Sequence, residues 1–386
     1  MARPISRVVI EGDYVDSFIY SGALFLVDFD GVLRTYPWKE IVIAGFNRAG
    51  RKISGDDFSL LVSGSVSLLK DEDDFDFPEL FVDSALIKKF QSSELPLSCW
   101  PTDIGIYSNN IFVASEDGVS KRKFSWENGV VTEFQSPVLL WDELALKVSP
   151  NSMNRTAIAA GSAGVLTARS NNRKDTVQIF DSPCGDCEWN DTKLIANTIN
   201  GALIAEFEEI PKMSPLYGSS GEYWNIVNSL KNKDPLFYGK IELSGSGAML
   251  SWSGGDRLFA MDNAMQLYVA SEEKIGENNS RSFEFESLNS VDVNGEHTHR
   301  VLSGKTGAFG TVVEFSDALL EFSEEGIREL ANNPVRWRVF PRARNYANHL
   351  HVVENDFIKI YSFGLKEDSN FDKFGFSLES IGKIDE

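Results

Sequence analysis

The sequence has few of the residues that most often build disulfide scaffolds and metal sites. Its 386 residues include three cysteines and four histidines, so a disulfide-stapled scaffold is excluded. No run of about 18 apolar residues occurs, and no segment is predicted to span a bilayer. The first residues lack the apolar stretch of a signal peptide, which predicts a cytoplasmic location.

Basic residues are also scarce compared with acidic ones. Lys and Arg number 37 against 57 Asp and Glu, which gives a formal net charge of −20. A general nucleic-acid binder needs a basic surface to neutralise phosphates, and an anionic membrane would repel this chain. We therefore predict neither partner, and expect that protein partners would present a basic surface.

Helical periodicity is rare along the chain. It indicates short helices at 222–231 and 324–332, and a weaker one at 142–148. Elsewhere, short apolar or alternating runs end at Gly, Asn, Asp or Pro, a pattern typical of short strands joined by tight turns. The 27 Phe residues suit such half-buried, pleated surfaces.

One pattern repeats along the sequence. Residues 147–167, 188–207 and 251–269 each contain a polar turn, an apolar strand, a small turn residue and an alternating strand. Looser copies are centred on Gly31, Gly118, Gly326 and Asp356. The long interval between Gly31 and Gly118 has room for a further copy, for which 59–69 is the candidate. Such units read as β-hairpins, because Gly, Asn and Asp supply the positive φ of tight turns.

The units at 147–167 and 188–207 resemble the inner hairpins of WD40-like β-propeller repeats. A four-stranded blade takes about 40–45 residues. The resemblance therefore predicts an all-β fold, a single propeller over residues 1–386 with about seven blades, six or eight remaining open, and few short helices in loops. It implies a non-catalytic interaction or scaffold subunit that contacts protein partners through its loops, with no cofactor.

A second resemblance supports an alternative. An apolar strand followed by Asp28-Phe-Asp30-Gly31 resembles the first motif of haloacid-dehalogenase-type phosphatases. That resemblance implies a nucleophile at Asp28, an acid/base at Asp30 and Mg²⁺ between them. Ser63, Asp73 and Asp74 are the residues available for the rest of the motif set. However, the crossover helices of a parallel sheet are missing, and Asp30-Gly31 aligns with the hairpin turns, so the turn is our first interpretation.

Three pairs of side chains have the spacing of metal ligands. Cys184 and Cys187 form a single Cys-x-x-Cys motif, which suits zinc or a redox dithiol but also a simple turn. His297 and His299 form one His-x-His pair, and His349 and His351 the other. Alternate residues of a strand share a face, so each pair could chelate a metal or sit in the core. No metal is assigned to them.

Two charge clusters are the candidate partner-binding residues. The acidic run consists of Asp71, Glu72, Asp73, Asp74 and Asp76, and it is a solvated loop, a weak calcium site or a dock for a basic partner. If the run docks a basic partner, the protein would act as an acidic sensor or inhibitor of that partner. The opposite cluster is an arginine stripe, formed by Arg336, Arg338, Arg342 and Arg344. These arginines pair with local acids or recognise carboxylates, phosphates or proteins.

Overall fold

The chain forms a seven-bladed β-propeller. The structure is a computed structural model, and it describes residues 5–51, 53, 55–63, 79–151, 155–169, 173–209, 211, 220–243, 246–254, 257–262, 264–270, 273–275, 281–288, 300–323, 326–343 and 345–364. Each blade is an antiparallel sheet, with four strands named a to d from the channel outwards. This order confirms the predicted all-β propeller and its blade number.

The first three blades follow one another along the first half of the chain. Blade 1 contains Tyr14–Tyr20, Ala23–Asp28, Val32–Pro37 and Ser93–Pro96. Blade 2 contains Pro101–Tyr107, Asn110–Ser115, Gly118–Glu127 and Val130–Phe134, with Val138–Trp141 paired beside its third strand. Blade 3 contains Lys147–Pro150, Thr156–Ala159, Val165–Ala168 and Thr176–Phe180.

Blades 4 to 6 continue the series. Blade 4 contains Cys184–Asn190, Lys193–Thr198, Gly201–Glu206 and Phe237–Lys240. Blade 5 contains Leu250–Gly254, Arg257–Met261, Leu267–Ala270 and Glu286–Ser287. Blade 6 contains Val301–Gly307, Gly310–Phe315, Ala318–Ser323 and Gly326–Asn332. Two small hairpins accompany blades 4 and 5, formed by Glu242–Leu243 with Ser246–Gly247 and by Glu273–Ile275 with Arg281–Phe283.

Blade 7 closes the ring by joining the two ends of the chain. Its strands a to c are Arg336–Val339, His349–Val353 and Phe357–Phe363, and its strand d is the N-terminal strand Ile5–Glu11. A further strand, Glu79–Val82, pairs in parallel with Ile5–Glu11 on the outer side. Ring closure packs the first and last blades against each other, so only the short outer strands remain as sheet edges.

The hydrophobic core is divided among the contacts between neighbouring blades. Seven buried clusters are present among the described residues, and each draws its side chains from two adjacent blades. Between blades 5 and 6, for example, fully buried Trp252 stacks on Phe259 and lies beside Val313. Each sheet thus buries apolar side chains on both faces, as blade-on-blade packing requires.

Antiparallel pairing gives every blade the same two ends. The b–c turns and the segments that enter strand a lie at one end, which we call the b–c face. The a–b turns and the c–d connections lie at the other end, the a–b face. Strands a of neighbouring blades lie against one another around the channel, as in blades 2 and 3 or blades 5 and 6.

The helices lie in the c–d connections, on the a–b face. Blade 1 carries Trp38–Arg48, Gly55–Ser63 and Ser84–Ile87, followed by the short 3₁₀ turn Lys88–Phe90. Trp38–Arg48 buries Ile41, Val42 and Phe46, whose spacing is that of one helical face. Blade 4 carries Ser220–Lys231, which confirms the helix predicted at 222–231, and blade 3 carries the 3₁₀ turn Arg173–Asp175.

The other helix predictions were wrong. Residues 326–332 form strand d of blade 6, paired with Ala318–Ser323, because the cross-strand partners override a weak helical pattern. Residues 142–146 lead into strand Lys147–Pro150 without a helix. The described part of 59–69, residues 59–63, belongs to helix Gly55–Ser63 and not to a hairpin.

The repeated turns are b–c turns, with one exception. Gly31, Gly118, Gly164 and Gly201 all have positive φ at the start of strand c. At Gly118 a Cβ atom would lie 2.0 Å from the carbonyl oxygen of Trp141, so no other residue fits there. Gly326 also has positive φ, but it belongs to the c–d turn of blade 6; the b–c turn of that blade is Ser316-Asp317.

Candidate functional site

The first strands of four blades share a bulge. In blades 1, 2, 4 and 6 an extra residue interrupts the pairing of strands a and b near the start of strand a. A β-bulge redirects the side chains that follow it. In three of these blades the following residue is an aspartate, namely Asp16, Asp103 or Asp186. Three acids therefore occupy equivalent positions around the channel.

Arginines of blade 7 neutralise two of these aspartates. Arg338 donates to Asp16 through Nε and Nη2, both at 2.6 Å, and Nη2 also lies 3.0 Å from Oδ1 of Asp103. Arg336 donates to Asp103 Oδ1 at 3.4 Å and to the carbonyl oxygen of Thr102 at 2.8 Å. The bidentate geometry with Asp16 is the strongest form of this ion pair.

Two lysines link the remaining acids. The ammonium of Lys147 lies 3.8 Å from carboxylate oxygens of both Asp103 and Asp186. Lys305 lies 3.9 Å from Asp186 and donates to Glu188. Glu188 also accepts hydrogen bonds from the backbone and hydroxyl of Ser253, at 2.6 and 2.9 Å. The channel thus contains a continuous network of four acids and four bases from six blades.

The network favours the ionised form of two of its acids, Asp103 and Asp186. Burial alone would raise the pKa of Asp103, but Lys147, Arg338 and Arg336 together hold it below its usual value. Burial also opposes the ionisation of Asp186, but the charges of Lys305 and Lys147 outweigh the effect of burial and lower the pKa of Asp186.

The arginine stripe is therefore placed mainly in the channel. Arg336 and Arg338 share a face of their strand, as predicted, and they pair with local acids. Arg342 lies in the a–b turn of blade 7, where it donates to the carbonyl oxygen of Pro150 at 2.9 Å. Arg344, like the acidic run at Asp71, Glu72, Asp73, Asp74 and Asp76, lies outside the described residues. The partner-binding role of both clusters stays a prediction.

The acids Asp16, Asp103 and Asp186 were not singled out from the sequence. The signal was present, because each is the third residue of an inner strand that begins with an apolar or small residue: Tyr14-Val-Asp16, Pro101-Thr-Asp103 and Cys184-Gly-Asp186. The repeat is recognised in the sequence by its b–c turns and not by strand a. The shared position of the three aspartates in strand a is therefore not apparent from the repeat.

The cysteine pair is buried in the interface between blades 3 and 4. Cys184 and Cys187 are both free thiols, and Cys184 Sγ donates to the backbone oxygen of Asp186 at 3.1 Å. Burial raises the pKa of Cys184 to about 12, so its thiolate is scarce at neutral pH. Among the described residues, no group of three His, Cys, Asp or Glu side chains has metal-binding geometry.

The described histidine pair joins the insertion of blade 1 to the ring. His349 and His351 lie on strand b of blade 7 and are fully buried. Nδ1 of His351 is 2.8 Å from the Ser17 hydroxyl, and Nε2 of His349 is 3.3 Å from the carbonyl oxygen of Leu60. Their environment is that of a packed interface between blades 7 and 1. His297 and His299 lie outside the described residues.

The phosphatase motif forms a turn. Asp28 Oδ1 accepts hydrogen bonds from the backbone of Asp30 and Val32, at 3.1 and 3.0 Å, and its other oxygen pairs with Arg34. An aspartate that bonds to the backbone in this way stabilises a tight turn. The antiparallel blade around it lacks the parallel sheet of that enzyme class, so the phosphatase alternative has no structural support.

The b–c face is both apolar and acidic. The exposed fraction is 77% for Ile199, 52% for Phe29 and 49% for Trp100, and the last two rings lie 6.1 Å apart. Leu144, Leu146 and Val335 are also exposed at this face. The seven b–c turns contain no Lys or Arg and seven acidic residues, which are Asp30, Glu116, Asp117, Asp262, Asp317, Glu354 and Asp356.

Comparisons with known proteins give the following result. No protein family and no curated protein matches the chain. Solved structures that resemble it include a chain of the mitotic checkpoint complex, at 9% identity and TM-score 0.46, covering 93% of this chain and 91% of that one. BBS1N in complex with ARL6DN gives 9% identity, TM-score 0.47, and coverage of 92% and 93%.

The WD40 β-propeller domain of Doa1 gives 9% identity, TM-score 0.45, and coverage of 94% of each chain. The fold assignment itself rests on the strand pairing of this chain. No helix in the part of the chain that the structure describes is long and apolar enough to cross a membrane.

Proposed function

We propose that this propeller is a non-catalytic interaction scaffold that binds a basic protein segment on its b–c face. The observation that carries the proposal is the combination, on that face, of exposed large apolar side chains with b–c turns that contain seven acidic and no basic residues. Phe29 and Trp100 form one contiguous exposed pair on this face, and contiguous exposed apolar patches mark interaction surfaces. Ile199 adds a further exposed apolar side chain on blade 4. The expected cytoplasmic location stays a prediction.

The turns at this face are rigid, which suits recognition. Backbone hydrogen bonds tie the segments that enter strand a to the b–c turns, as from Leu97 N to Gly31 O at 2.9 Å and from Ile199 N to Pro183 O at 3.1 Å. Side chains presented by such a frame lose little conformational entropy on binding. The apolar groups would supply burial and the acids orientation and association rate.

The acids select the partner. Asp30, Asp117 and Asp356 are exposed and lie in the turns of blades 1, 2 and 7. Exposed charges of one sign attract a partner of the other sign and repel their own kind. A segment with lysine or arginine alternating with apolar residues matches both properties of the face.

The test uses a defined probe. A fluorescent peptide of alternating Lys and Leu is titrated with the intact chain, and a Glu/Leu peptide serves as the opposite-charge control. The variant Asp30→Asn/Asp117→Asn/Asp356→Asn should weaken binding about tenfold or more, whereas Glu40→Gln/Glu133→Gln/Glu209→Gln carries the same charge change away from the b–c face and should weaken it far less. Equal losses in both variants would mean that net charge and not this face drives binding, and would refute the proposal.

A further inference from the structure

A cavity of about 570 Å³ occupies the channel on the side of the a–b face. Its walls include the ends of strands a and the a–b turns, from Tyr20 and Tyr107 to Pro150, Asn190 and Phe340. Its inner end is the ion-pair network around Arg338. The volume falls within the range of roughly 300–1,000 Å³ that small-molecule sites occupy.

The charges on the cavity wall are not balanced. Four basic residues line it against two acidic ones, namely Lys147, Lys305, Arg338 and Arg342 against Asp103 and Glu188. Arg338 and Lys305 donate directly to carboxylates. Adding Asp16, Asp186 and Arg336, which complete the network behind the wall, leaves five basic groups against four acidic ones.

Two of these cations have donors that no carboxylate takes. Within the described residues, Lys147 approaches acids only at 3.8 Å, which is longer than a hydrogen bond. Arg342 donates to two neutral oxygens, the Pro150 carbonyl at 2.9 Å and Asn151 Oδ1 at 3.4 Å. Glu188 acts on Arg342 only at longer range. A guanidinium has five N–H donors, so most of those of Arg342 have no partner among the described residues.

The same cavity offers aromatic surface beside these cations. The guanidinium of Arg342 lies over the ring of Tyr107, 5.9 Å from its centroid. Phe340 lies two residues before Arg342, and both line the cavity with Trp189. An apolar wall next to available cationic donors matches a ligand that has an apolar or flat body and an anionic group.

We propose that this cavity binds a small organic anion, with its carboxylate or phosphate on Arg342 and Lys147 and its body against Tyr107 and Phe340. The site is distinct from the b–c face and does not depend on the function proposed for that face. Hydrogen bonds to Asp16 and Asp103 hold Arg338 at the inner end of the cavity, and those to Pro150 and Asn151 hold Arg342, so these two donors are positioned before a ligand arrives.

Isothermal titration calorimetry on the intact chain tests this proposal. The probes are phenyl phosphate and benzoate, with benzyl alcohol as the neutral analogue, in a buffer free of other multivalent anions. We expect saturable binding of at least one anion at millimolar concentration or below, and at least tenfold weaker binding of the neutral analogue, because charge-assisted hydrogen bonds to Arg342 and Lys147 are lost.

Matched variants locate the site. Arg342→Gln and Lys147→Gln should each weaken anion binding about tenfold or more, whereas Lys233→Gln, on an exposed ion pair with Glu208 away from the channel, should leave it unchanged. The unfolding midpoint of each variant is measured first, and Arg342→Gln is not expected to alter it. Absence of anion binding, equal affinity for the neutral analogue, or binding insensitive to Arg342→Gln would each overturn the proposal.

Discussion

The channel and the b–c face are both rich in charge, but they use it differently. In the channel, Arg338 donates to Asp16 and Asp103, and Lys147 lies 3.8 Å from Asp186. On the b–c face, Asp30 and Asp117 stand in exposed turns that contain no basic residue. Matched buried charges fix how the strands a meet, whereas unmatched exposed charges cost little stability and remain available to a partner.

The largest expected effect comes from breaking the channel network. Arg338→Ala leaves the buried carboxylates of Asp16 and Asp103 without their principal partner. We expect the free energy of unfolding to fall by about 3–5 kcal/mol, since an unpaired buried charge is strongly destabilising. Urea titration followed by circular dichroism measures this loss.

The control for this variant is Arg173→Ala, which removes an exposed arginine from its pair with Asp142. Its effect should stay below about 1 kcal/mol. The double variant Asp16→Asn/Arg338→Ala should be less destabilised than the sum of the single variants, because Asp16 is no longer left charged. Additive losses would show that the pair is not coupled.

Acidification should give the next largest effect, through the buried histidines. Burial lowers the pKa of His349 to about 4, and it lowers the pKa of His351 well below its usual value, with help from His349 and Arg338. Histidines in the unfolded chain titrate near 6.5. Between these values the unfolded chain binds more protons than the folded one, so stability falls as pH drops from about 6.5 towards 4.

Urea unfolding at pH 7 and pH 5 measures this effect. We expect a loss of about 2 kcal/mol per buried histidine, and His349→Gln/His351→Gln should flatten the dependence. The pKa values of Asp103 and Asp186 lie below those of ordinary carboxyls, so their contribution is lost only at lower pH. If the free energy of unfolding of the double variant still fell as steeply between pH 7 and pH 5, the histidines would not be the cause of the pH dependence.

The smallest effect on stability is expected at the b–c face. Asp30→Asn/Asp117→Asn/Asp356→Asn removes three exposed charges, and the free energy of unfolding should change by no more than about 0.5 kcal/mol. Thermal unfolding of this variant beside the parent chain is the measurement. A large destabilisation would mean that these acids are part of the architecture, like those of the channel.

The sequence predicted the blades better than the channel. Small turn residues such as Gly118 and Gly164 are dictated locally, by a backbone conformation with positive φ, so the repeat could be found without tertiary information. The insertion 38–92 could not be found in this way, because its helix Trp38–Arg48 is stabilised by packing on Leu80 and on other residues far along the chain. Arg336 and Arg338 were noticed as a stripe, but their partner Asp16 lies more than 300 residues away.

The N-terminal strand has two pairing partners, one of them Glu79–Val82, and the two are synthesised at very different times. Strand Ile5–Glu11 pairs with Phe357–Phe363 on one edge and with Glu79–Val82 on the other. During synthesis, Glu79–Val82 is complete once residue 82 has emerged, long before Phe357–Phe363 is made. The N-terminal strand can therefore pair with Glu79–Val82 before most of the ring is made, which would cover one of its edges against pairing with another chain.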